Sequence, residues 1–204
     1  MKNTKWKTFI DYEKEEAWLN EMSSTGLALT NRFMWRYEFA DCNPGEYIYR
    51  IDFLKKRPGS RESRKYMDFM VDSGIEHVST QGYLVYYRRR AAEGPFEIYT
   101  DIDSKLSYYR RISNYWLLFS FMVALFIVEF AYFGIRDYFW TKEFMEIIKN
   151  LPPELELTDW WPYNWVLCII YSAIFLGLLV VIFRNWNKIR KKVKRLKEEK
   201  NTRM

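Results

Sequence analysis

Two long apolar runs, residues 115–135 and 162–183, most strongly constrain what this chain can fold into. At about 1.5 Å of rise per helical residue, each run is long enough to cross the ~30 Å hydrocarbon core of a bilayer. The mean hydropathy of the whole chain is only −0.36, because charged flanks offset the two apolar runs. The pattern is typical of a multi-pass protein of the cell membrane with two transmembrane helices.

The charges around these runs predict how the chain is oriented, because cytoplasmic flanks carry an excess of lysine and arginine. Residues 184–204 hold ten basic residues against two acidic ones, whereas residues 136–161 hold three basic residues against six acidic ones. We therefore expect both termini in the cytoplasm and residues 136–161 outside. Residues 1–20 are charged throughout and lack the apolar core of a signal peptide, which agrees with a cytoplasmic amino terminus.

The basic carboxyl-terminal segment also predicts contact with lipid. Basic residues beside a span are attracted to the anionic inner leaflet, each by roughly 1 kcal/mol. A solvated segment that only fixes the orientation of the spans is the alternative. The candidate lipid-binding residues are Lys188, Arg190, Lys191, Lys192, Lys194 and Arg195.

Residues 1–100 show the helix and strand patterns of a small α+β domain. Asp11 is placed to cap a first helix, and a second helix is predicted over residues 62–73. The period-2 alternation of residues 33–39 and 47–53, on either side of a turn-rich stretch, predicts a hairpin. The order strand-helix-strand-strand-helix-strand is that of a ferredoxin-like (split βαβ) domain, here with one extra strand at its carboxyl end.

The predicted organisation of the whole chain follows from these patterns. It consists of a cytosolic α+β domain at 1–100, a helical stalk at 101–114, a first transmembrane helix at 115–135, an extracytoplasmic loop with an interfacial amphipathic helix at 136–161, a second transmembrane helix at 162–183 and a cytosolic polybasic tail at 184–204.

Aromatic residues dominate the predicted outer loop. Trp140, Phe144 and Ile147 recur at helical spacing, and Trp160 and Trp161 precede the second span as an interfacial belt. A short cap that rests on the outer leaflet explains this pattern. The alternative is an acidic, aromatic surface that senses a cationic amphiphile.

Three stretches together carry a resemblance to a known family. They are Trp18-Leu19-Asn20 followed by Gly26, Pro44-Gly45-Glu46-Tyr47 leading into Tyr49-Arg50-Ile51-Asp52-Phe53, and Thr100-Asp101 through Ser104-Lys105 to Tyr109-Arg110-Arg111. Over roughly residues 5–112 the chain resembles a family of uncharacterised membrane proteins of Gram-positive bacteria, a domain of unknown function. The resemblance implies a protein often encoded beside PadR-type transcription regulators, and hence a regulatory or stress-linked role. It implies no catalytic residues.

The chain offers few residue types for catalysis. His77 is the single histidine, so a multi-histidine metal site is excluded and any catalytic triad would depend on this one residue. Cys42 falls in the predicted turn, where a small turn residue is a better interpretation than a reactive thiol. The glycines are scattered and form no phosphate-binding loop. We therefore expect a protein that is not an enzyme and that uses no cofactor or metal.

The aromatic and basic run Tyr86, Tyr87 and Arg88 raises the question of RNA binding. The chain lacks the aromatic signature of RNA-recognition modules, and the residues before the spans lack a dominant basic excess. We therefore expect no nucleic-acid partner.

Glu129 is the only formally charged residue within either apolar run. A carboxylate inside a membrane is costly and often functional, and Tyr171 and Ser172 lie at a similar depth as candidate interaction partners. The alternative is that Glu129 simply reaches the nearby outer interface.

These patterns favour a regulatory or scaffolding protein whose cytosolic domain binds a protein partner and relays the state of the envelope or membrane. The candidate cytosolic docking residues are the strand aromatics Trp35, Tyr37, Tyr47 and Tyr49. The alternative is an accessory subunit of a larger membrane complex, such as a transporter, that packs through its transmembrane hairpin. Self-association into a homo-oligomer is also open.

Overall fold

The computed structural model describes residues 3–148 and 164–202 of the chain. The elements are, in chain order, β1 (Asn3–Trp6), α1 (Tyr12–Ser24), β2 (Leu27–Phe33), β3 (Arg36–Asp41), β4 (Tyr47–Phe53), α2 (Arg61–Asp72), β5 (Glu76–Gln81), β6 (Leu84–Arg90), α3 (Ile102–Ile148) and α4 (Asn164–Thr202). They form two compact units: one comprises Met1–Ile112 with Lys192–Met204, and the other comprises Ser113–Lys191. The predicted class is confirmed: six strands in two small sheets with two helices form a mixed α+β domain, followed by two long apolar helices.

Both sheets of the α+β domain have the same topology. The first has the strand order β1-β3-β2, and the second has the order β4-β6-β5. In each, a strand, a helix and an antiparallel hairpin follow one another, and the last strand lies in the middle. The domain is therefore a structural repeat of two strand-helix-strand-strand halves, which no repetition in the sequence predicts.

The two sheets meet along β2 and β5. Each of these strands departs from regular pairing, at Leu29/Asn31 in β2 and at His77/Ser79 in β5. Ser79 Oγ donates to the carbonyl oxygen of Arg32 at 3.2 Å, and the amide of Met34 donates to Gln81 Oε1 at 3.1 Å. A β-bulge twists a strand and leaves some of its backbone groups unpaired. Side chains therefore supply part of the contact between β2 and β5.

Side chains of α1 cover the free edge of β4. Asn20 accepts a hydrogen bond from the amide of Tyr49 at 2.8 Å and donates to the carbonyl oxygen of Tyr49 at 3.2 Å. One helical turn to either side, Ser23 accepts from the amide of Tyr47 and Glu16 accepts from the amide of Ile51 at 3.0 Å. An unpaired strand edge invites association with another chain, and here the helix satisfies it.

The core of the domain is aromatic. Trp18 of α1 packs edge-on against Tyr37 and Phe39 of β3, with ring centroids 5.0 and 5.8 Å apart. The central strand β6 is buried on both faces, so Tyr86 and Tyr87 are both inaccessible. These two tyrosines, which raised the question of RNA binding, are therefore core residues.

The predicted hairpin of residues 33–39 with 47–53 is wrong. The chain turns at Met34 and Trp35, and β3 pairs with β2 and β1, whereas β4 pairs with β6. Met34 adopts a positive φ of 53° at this turn. The alternation across residues 33–39 resembled one strand because the turn falls between two segments of the same period. No clear sequence signal marks β2, because the bulge in β2 interrupts its alternation.

The finer prediction of a ferredoxin-like domain with an extra strand is not confirmed. That arrangement is one sheet, whereas the strands here pair as two three-stranded antiparallel sheets. The helix predictions come closer: Asp11 caps α1 by accepting from the amide of Glu13, and α2 begins and ends one residue before the predicted bounds.

The second unit contains the apolar parts of α3 and α4. Both helices are long and apolar enough to cross a membrane, with mean hydropathies of 2.1 and 3.0 in their most apolar windows. Only 6% of each window is buried, whereas a core helix of a soluble protein is mostly buried. Two apolar helices of this kind are compatible with a membrane protein and could form a transmembrane hairpin.

Aromatic stacking pairs the two helices within this unit. Phe126 stacks on Phe175 with ring centroids 5.9 Å apart, and Phe130 contacts Tyr171 at 5.6 Å. Since the later residue of α3 meets the earlier residue of α4, the helices run antiparallel. Residues 136–148, predicted as the start of the outer loop, continue α3 without a break. The aromatic belt predicted at Trp160 and Trp161 lies outside the described residues.

Candidate functional site

The predicted docking residues do not form one surface. Tyr37 and Tyr49 are fully buried, and the hydroxyl of Tyr49 accepts a hydrogen bond from the amide of Leu29 at 2.8 Å inside the core. Tyr47 is half-buried beneath the guanidinium of Arg88, 4.2 Å from its ring centroid. Trp35 alone is widely exposed. Alternation identified the buried face of the strands rather than a docking face.

Trp35 and three apolar residues near it form a surface that we call the aromatic turn. It consists of Trp6, Phe33, Met34 and Trp35. Trp6 and Phe33 both lie opposite Arg36 in the first sheet, and the amide of Lys7 donates to the carbonyl oxygen of Trp35 at 2.9 Å. Trp6 is 65% exposed, Phe33 is 64% exposed and Trp35 is 50% exposed. Large exposed aromatics that lie together are typical of protein-binding surfaces.

A buried polar cluster joins the two halves of the domain. Glu15 of α1 is fully buried, and its Oε1 accepts hydrogen bonds from the hydroxyls of Tyr37 and Tyr86, both at 2.7 Å. The guanidinium of Arg32 lies 3.3 Å from the same oxygen and over both tyrosine rings. Burial and the charge of Glu15 raise the pKa of both tyrosines, so their hydroxyls stay protonated as donors. The cluster is a structural link between α1, β2, β3 and β6.

A cavity of about 400 Å³ lies between the end of β4 and the first turns of α2 and α3. Asp52, only 2% exposed, lines it and accepts a hydrogen bond from the hydroxyl of Tyr99. Arg111 of α3 donates to Tyr99 at 2.7 Å and to the carbonyl oxygen of Phe53 at 2.8 Å. Burial and the charge of Asp52 raise the pKa of Tyr99, which keeps its hydroxyl protonated.

The predicted lipid-binding bases divide into two groups. Lys192 forms an ion pair with Glu13 and lies 5.6 Å from the ring centroid of Tyr109, both residues of the α+β domain. Arg195 lines a second cavity of about 460 Å³ on the same domain. Lys188, Arg190, Lys191 and Lys194 are exposed. Burial opposes ionisation of Glu13, but hydrogen bonds from Lys192 and Tyr109 outweigh it and hold the pKa of Glu13 below its usual 4.5.

The predicted intramembrane residues are separated on the helix surfaces. Tyr171 contacts Phe130, and Ser172 donates to the carbonyl oxygen of Cys168 at 2.7 Å. Glu129 is exposed on α3, next to Phe130 but away from that aromatic contact. Among the described residues, no bond joins Glu129 to Tyr171 or Ser172.

The two residues considered for catalysis, His77 and Cys42, each bond a neighbouring residue of the α+β domain. His77 Nε2 lies 2.7 Å from the hydroxyl of Thr80, and partial burial lowers the pKa of His77. The amide of Cys42 donates to the carbonyl oxygen of Gly26 at 2.9 Å, and burial raises the pKa of its thiol, which disfavours the reactive thiolate. No group of three metal-ligating side chains occurs within residues 3–148 and 164–202.

Sequence patterns pointed to neither Glu15 nor Asp52. Glu15 follows the cap residue Asp11, where an acid is expected beside the helix dipole, yet it precedes Trp18, Leu19 and Met22 at the 3-4-7 spacing of one helix face. That spacing could have identified it as buried. Asp52 alternates with the buried Ile51 and Phe53, and such a pattern predicts a solvent-facing side chain. Nothing in the sequence indicates that its strand is covered on both faces there.

Comparison with known protein families gives a match over more than half of the chain. Residues 11–121 match the family described as "Protein of unknown function (DUF2812)". No curated protein and no solved structure matches the chain. The matched range includes all three stretches that resemble uncharacterised membrane proteins, and it ends within the apolar part of α3.

Proposed function

Because the chain belongs to the DUF2812 family, whose description assigns no activity, we propose its function from its own geometry: it is a membrane-anchored, non-enzymatic regulatory or scaffolding protein. Its α+β domain lies on the cytoplasmic side and holds a protein partner there. The observation that carries this proposal is the aromatic turn, which exposes two tryptophans, a phenylalanine and a methionine on a domain that already has a well-packed core.

The composition of the aromatic turn supports a protein partner with an apolar patch and an acidic rim. Tryptophan and other aromatics dominate the binding energy of protein interfaces. Arg36 lies opposite both Trp6 and Phe33 and is also paired with Glu38, and the basic residues Lys5 and Lys7 flank Trp6 in the sequence. Charges at the rim of an interface mainly steer and orient the partner.

The apolar helices support anchoring in the cell membrane. With the basic excess in residues 184–204 and the acidic excess in residues 136–161, a hairpin of α3 and α4 would keep both termini in the cytoplasm. Helix α3 runs from Ile102 to Ile148 without proline, and its first turns contribute the buried residues Leu106, Tyr108 and Ile112 to the α+β domain. A continuous helix of this kind can transmit a displacement, as a flexible linker cannot.

The resemblance to Gram-positive membrane proteins encoded beside PadR-type regulators supports a regulatory setting. A bacterial origin and such a gene neighbourhood remain part of the proposal. A regulator held at the membrane would couple the state of the envelope to a cytosolic partner through α3.

Substitution of the aromatic turn tests the proposal. Full-length protein with Trp6→Ser and Trp35→Ser, purified from its native membrane in mild detergent, should lose its co-purifying cytosolic partner at least about tenfold, as expected for interface tryptophans. Phe69→Ser is the matched control, because Phe69 is 63% exposed on α2. If the natural protein, the double tryptophan variant and Phe69→Ser all recover the partner equally, the proposal is contradicted.

A second function is favoured by Glu129. An exposed carboxylate on an apolar helix is expensive in lipid, and burial against another membrane protein would relieve this cost. The protein would then be an accessory subunit of a larger membrane complex. In the same experiment, a partner that is retained by the tryptophan variants but lost with Glu129→Gln would favour this second function.

A further inference from the structure

The 400 Å³ cavity of the α+β domain has the size of a small-molecule site. Three elements enclose it: the end of β4, the first turns of α2 and the first turns of α3. All of its lining residues lie between Asp52 and Arg111, within one compact unit. The cavity is separate from the aromatic turn, so its role is independent of the proposed partner surface.

The floor of the cavity is polar but already satisfied. Asp52 accepts from Tyr99 and, at 2.6 Å, from the amide of Phe53, and the guanidinium of Arg111 lies 3.6 Å from it. Each guanidinium nitrogen of Arg111 makes a hydrogen bond: Nη2 to Tyr99, Nε to the carbonyl oxygen of Phe53, and Nη1 to Ser107 at 3.0 Å. A buried pair compensated in this way offers little free charge to a ligand.

The walls of the cavity are largely apolar. Phe53, Leu54 and Ile98 supply hydrocarbon surface, and Tyr66 and Tyr99 supply ring faces. An apolar wall of this kind favours the ring or chain of a ligand, because ligand sites combine apolar walls with a few placed polar groups.

The mouth of the cavity is positive. Lys55 and Lys56 line it, both are exposed, and no ion pair joins either lysine to another residue of the described chain. The first turns of α2 and α3 also face the cavity, and helix amino termini carry partial positive charge. Glu62 is the one acidic residue beside the two lysines. The ammonium charges of the two lysines and the dipoles of α2 and α3 therefore favour the binding of an anion.

We propose that this cavity binds a small monoanion with an apolar body, such as an aromatic or medium-chain carboxylate. The ring or chain lies against Phe53, Tyr66 and Ile98, and the anionic group lies at the ammonium groups of Lys55 and Lys56. Because Ser104, Ser107 and Arg111 also line the cavity, the ligand contacts the helix that continues into the first apolar segment. Occupancy of the cavity would thus give the protein a chemical input.

Equilibrium dialysis of the full-length protein in lipid nanodiscs tests the site, with empty nanodiscs subtracted. The probes are 1-naphthoate, octanoate and 1-naphthylmethylammonium, which separate aromatic acids, acyl chains and cations. One or both carboxylates should bind saturably at one site per chain. The one that binds tighter shows whether the site prefers an aromatic acid or an acyl chain. Tighter binding of the ammonium compound, or no saturable binding of either carboxylate, would overturn the proposal.

Two variants localise the binding. Lys55→Gln with Lys56→Gln should weaken carboxylate binding about tenfold, the combined effect of two partly exposed charges. Lys14→Gln with Lys65→Gln changes the net charge equally, at exposed lysines outside the cavity, and should leave binding unchanged. Ile98→Trp should abolish binding by filling the cavity. Equal weakening by both lysine pairs, or full binding by Ile98→Trp, would place the ligand elsewhere and overturn the assignment.

Discussion

At the scale of single residues, the hydrogen bonds between α1 and β4 explain part of the family resemblance. Trp18 and Leu19 are buried in the core, and the next residue, Asn20, bonds both backbone groups of Tyr49. The Tyr49-Arg50-Ile51 stretch is the strand edge that receives these bonds. The two resembling stretches are therefore the two sides of one contact, in which the side-chain amide of Asn20 both donates and accepts.

Removal of that amide should destabilise the α+β domain. Asn20→Ala leaves the amide and the carbonyl of Tyr49 without their partner in a partly buried position, so we expect a loss of about 1–3 kcal/mol in the free energy of unfolding. Urea unfolding of the full-length protein in detergent, followed by near-ultraviolet circular dichroism, measures this change. Asn43→Ala removes an exposed amide that bonds Glu46 and should cost less than about 0.5 kcal/mol. Equal losses in the two variants would contradict this role of Asn20.

At the scale of elements, the carboxyl-terminal part of α4 is more than a solvated or lipid-facing segment. Lys192 pairs with Glu13, and Lys200 Nζ lies 2.6 Å from Asp103 Oδ1, so two turns of this basic helix contact the α+β domain. The predicted lipid contact is confined by this arrangement to the bases that remain exposed, such as Lys191 and Lys194. Lipid and the acidic residues of the domain would compete for Lys192.

Acid should release this segment from the domain. Since the pKa of Glu13 is lowered in the folded protein, its ionised form stabilises the contact above the ordinary pKa of 4.5, and the contribution is lost as the pH falls through the lowered value. A spin label at Asn201→Cys, in a background of Cys42→Ser and Cys168→Ser, reports mobility. Glu13→Gln at pH 7 should shift the label two- to fivefold toward its mobile population, the range for about one exposed ion pair.

The control for this prediction is Glu21→Gln, which removes an exposed acid from the same helix without touching the basic segment. Lowering the pH from 7 to below the lowered pKa of Glu13 should mobilise the label in the protein that retains Glu13 and have a smaller effect in Glu13→Gln. Identical pH responses in the two proteins would show that Glu13 does not hold the segment.

The helices of the molecule could be predicted from the sequence far better than the pairing of its strands. Capping by Asp11, the bounds of α2 and the two apolar helices follow from local patterns, because a helix satisfies its own backbone. Strand partners depend on distant residues, and the turn at Met34 and Trp35 left no glycine or proline signal. The cavity at Asp52 could not be predicted for the same reason. Asp52 is buried because α2 and α3 close over β4.

At the scale of the whole molecule, the chain combines a repeat of two strand-helix-strand-strand halves with two apolar helices. The repeat brings Glu15, Arg32, Tyr37 and Tyr86 together from both halves, so a buried polar cluster links the two sheets. The aromatic turn and the cavity lie on this domain. Both proposed roles require that the domain face the cytoplasm and that the apolar helices span the membrane.

The most direct test of that central claim is thiol labelling in intact cells. In the Cys42→Ser and Cys168→Ser background, Asn150→Cys lies between the two apolar helices in sequence, and Ser24→Cys is exposed at the end of α1. A membrane-impermeant maleimide should label Asn150→Cys in intact cells and Ser24→Cys only after the membrane is permeabilised. Labelling of Ser24→Cys in intact cells, or protection of Asn150→Cys until permeabilisation, would contradict the account.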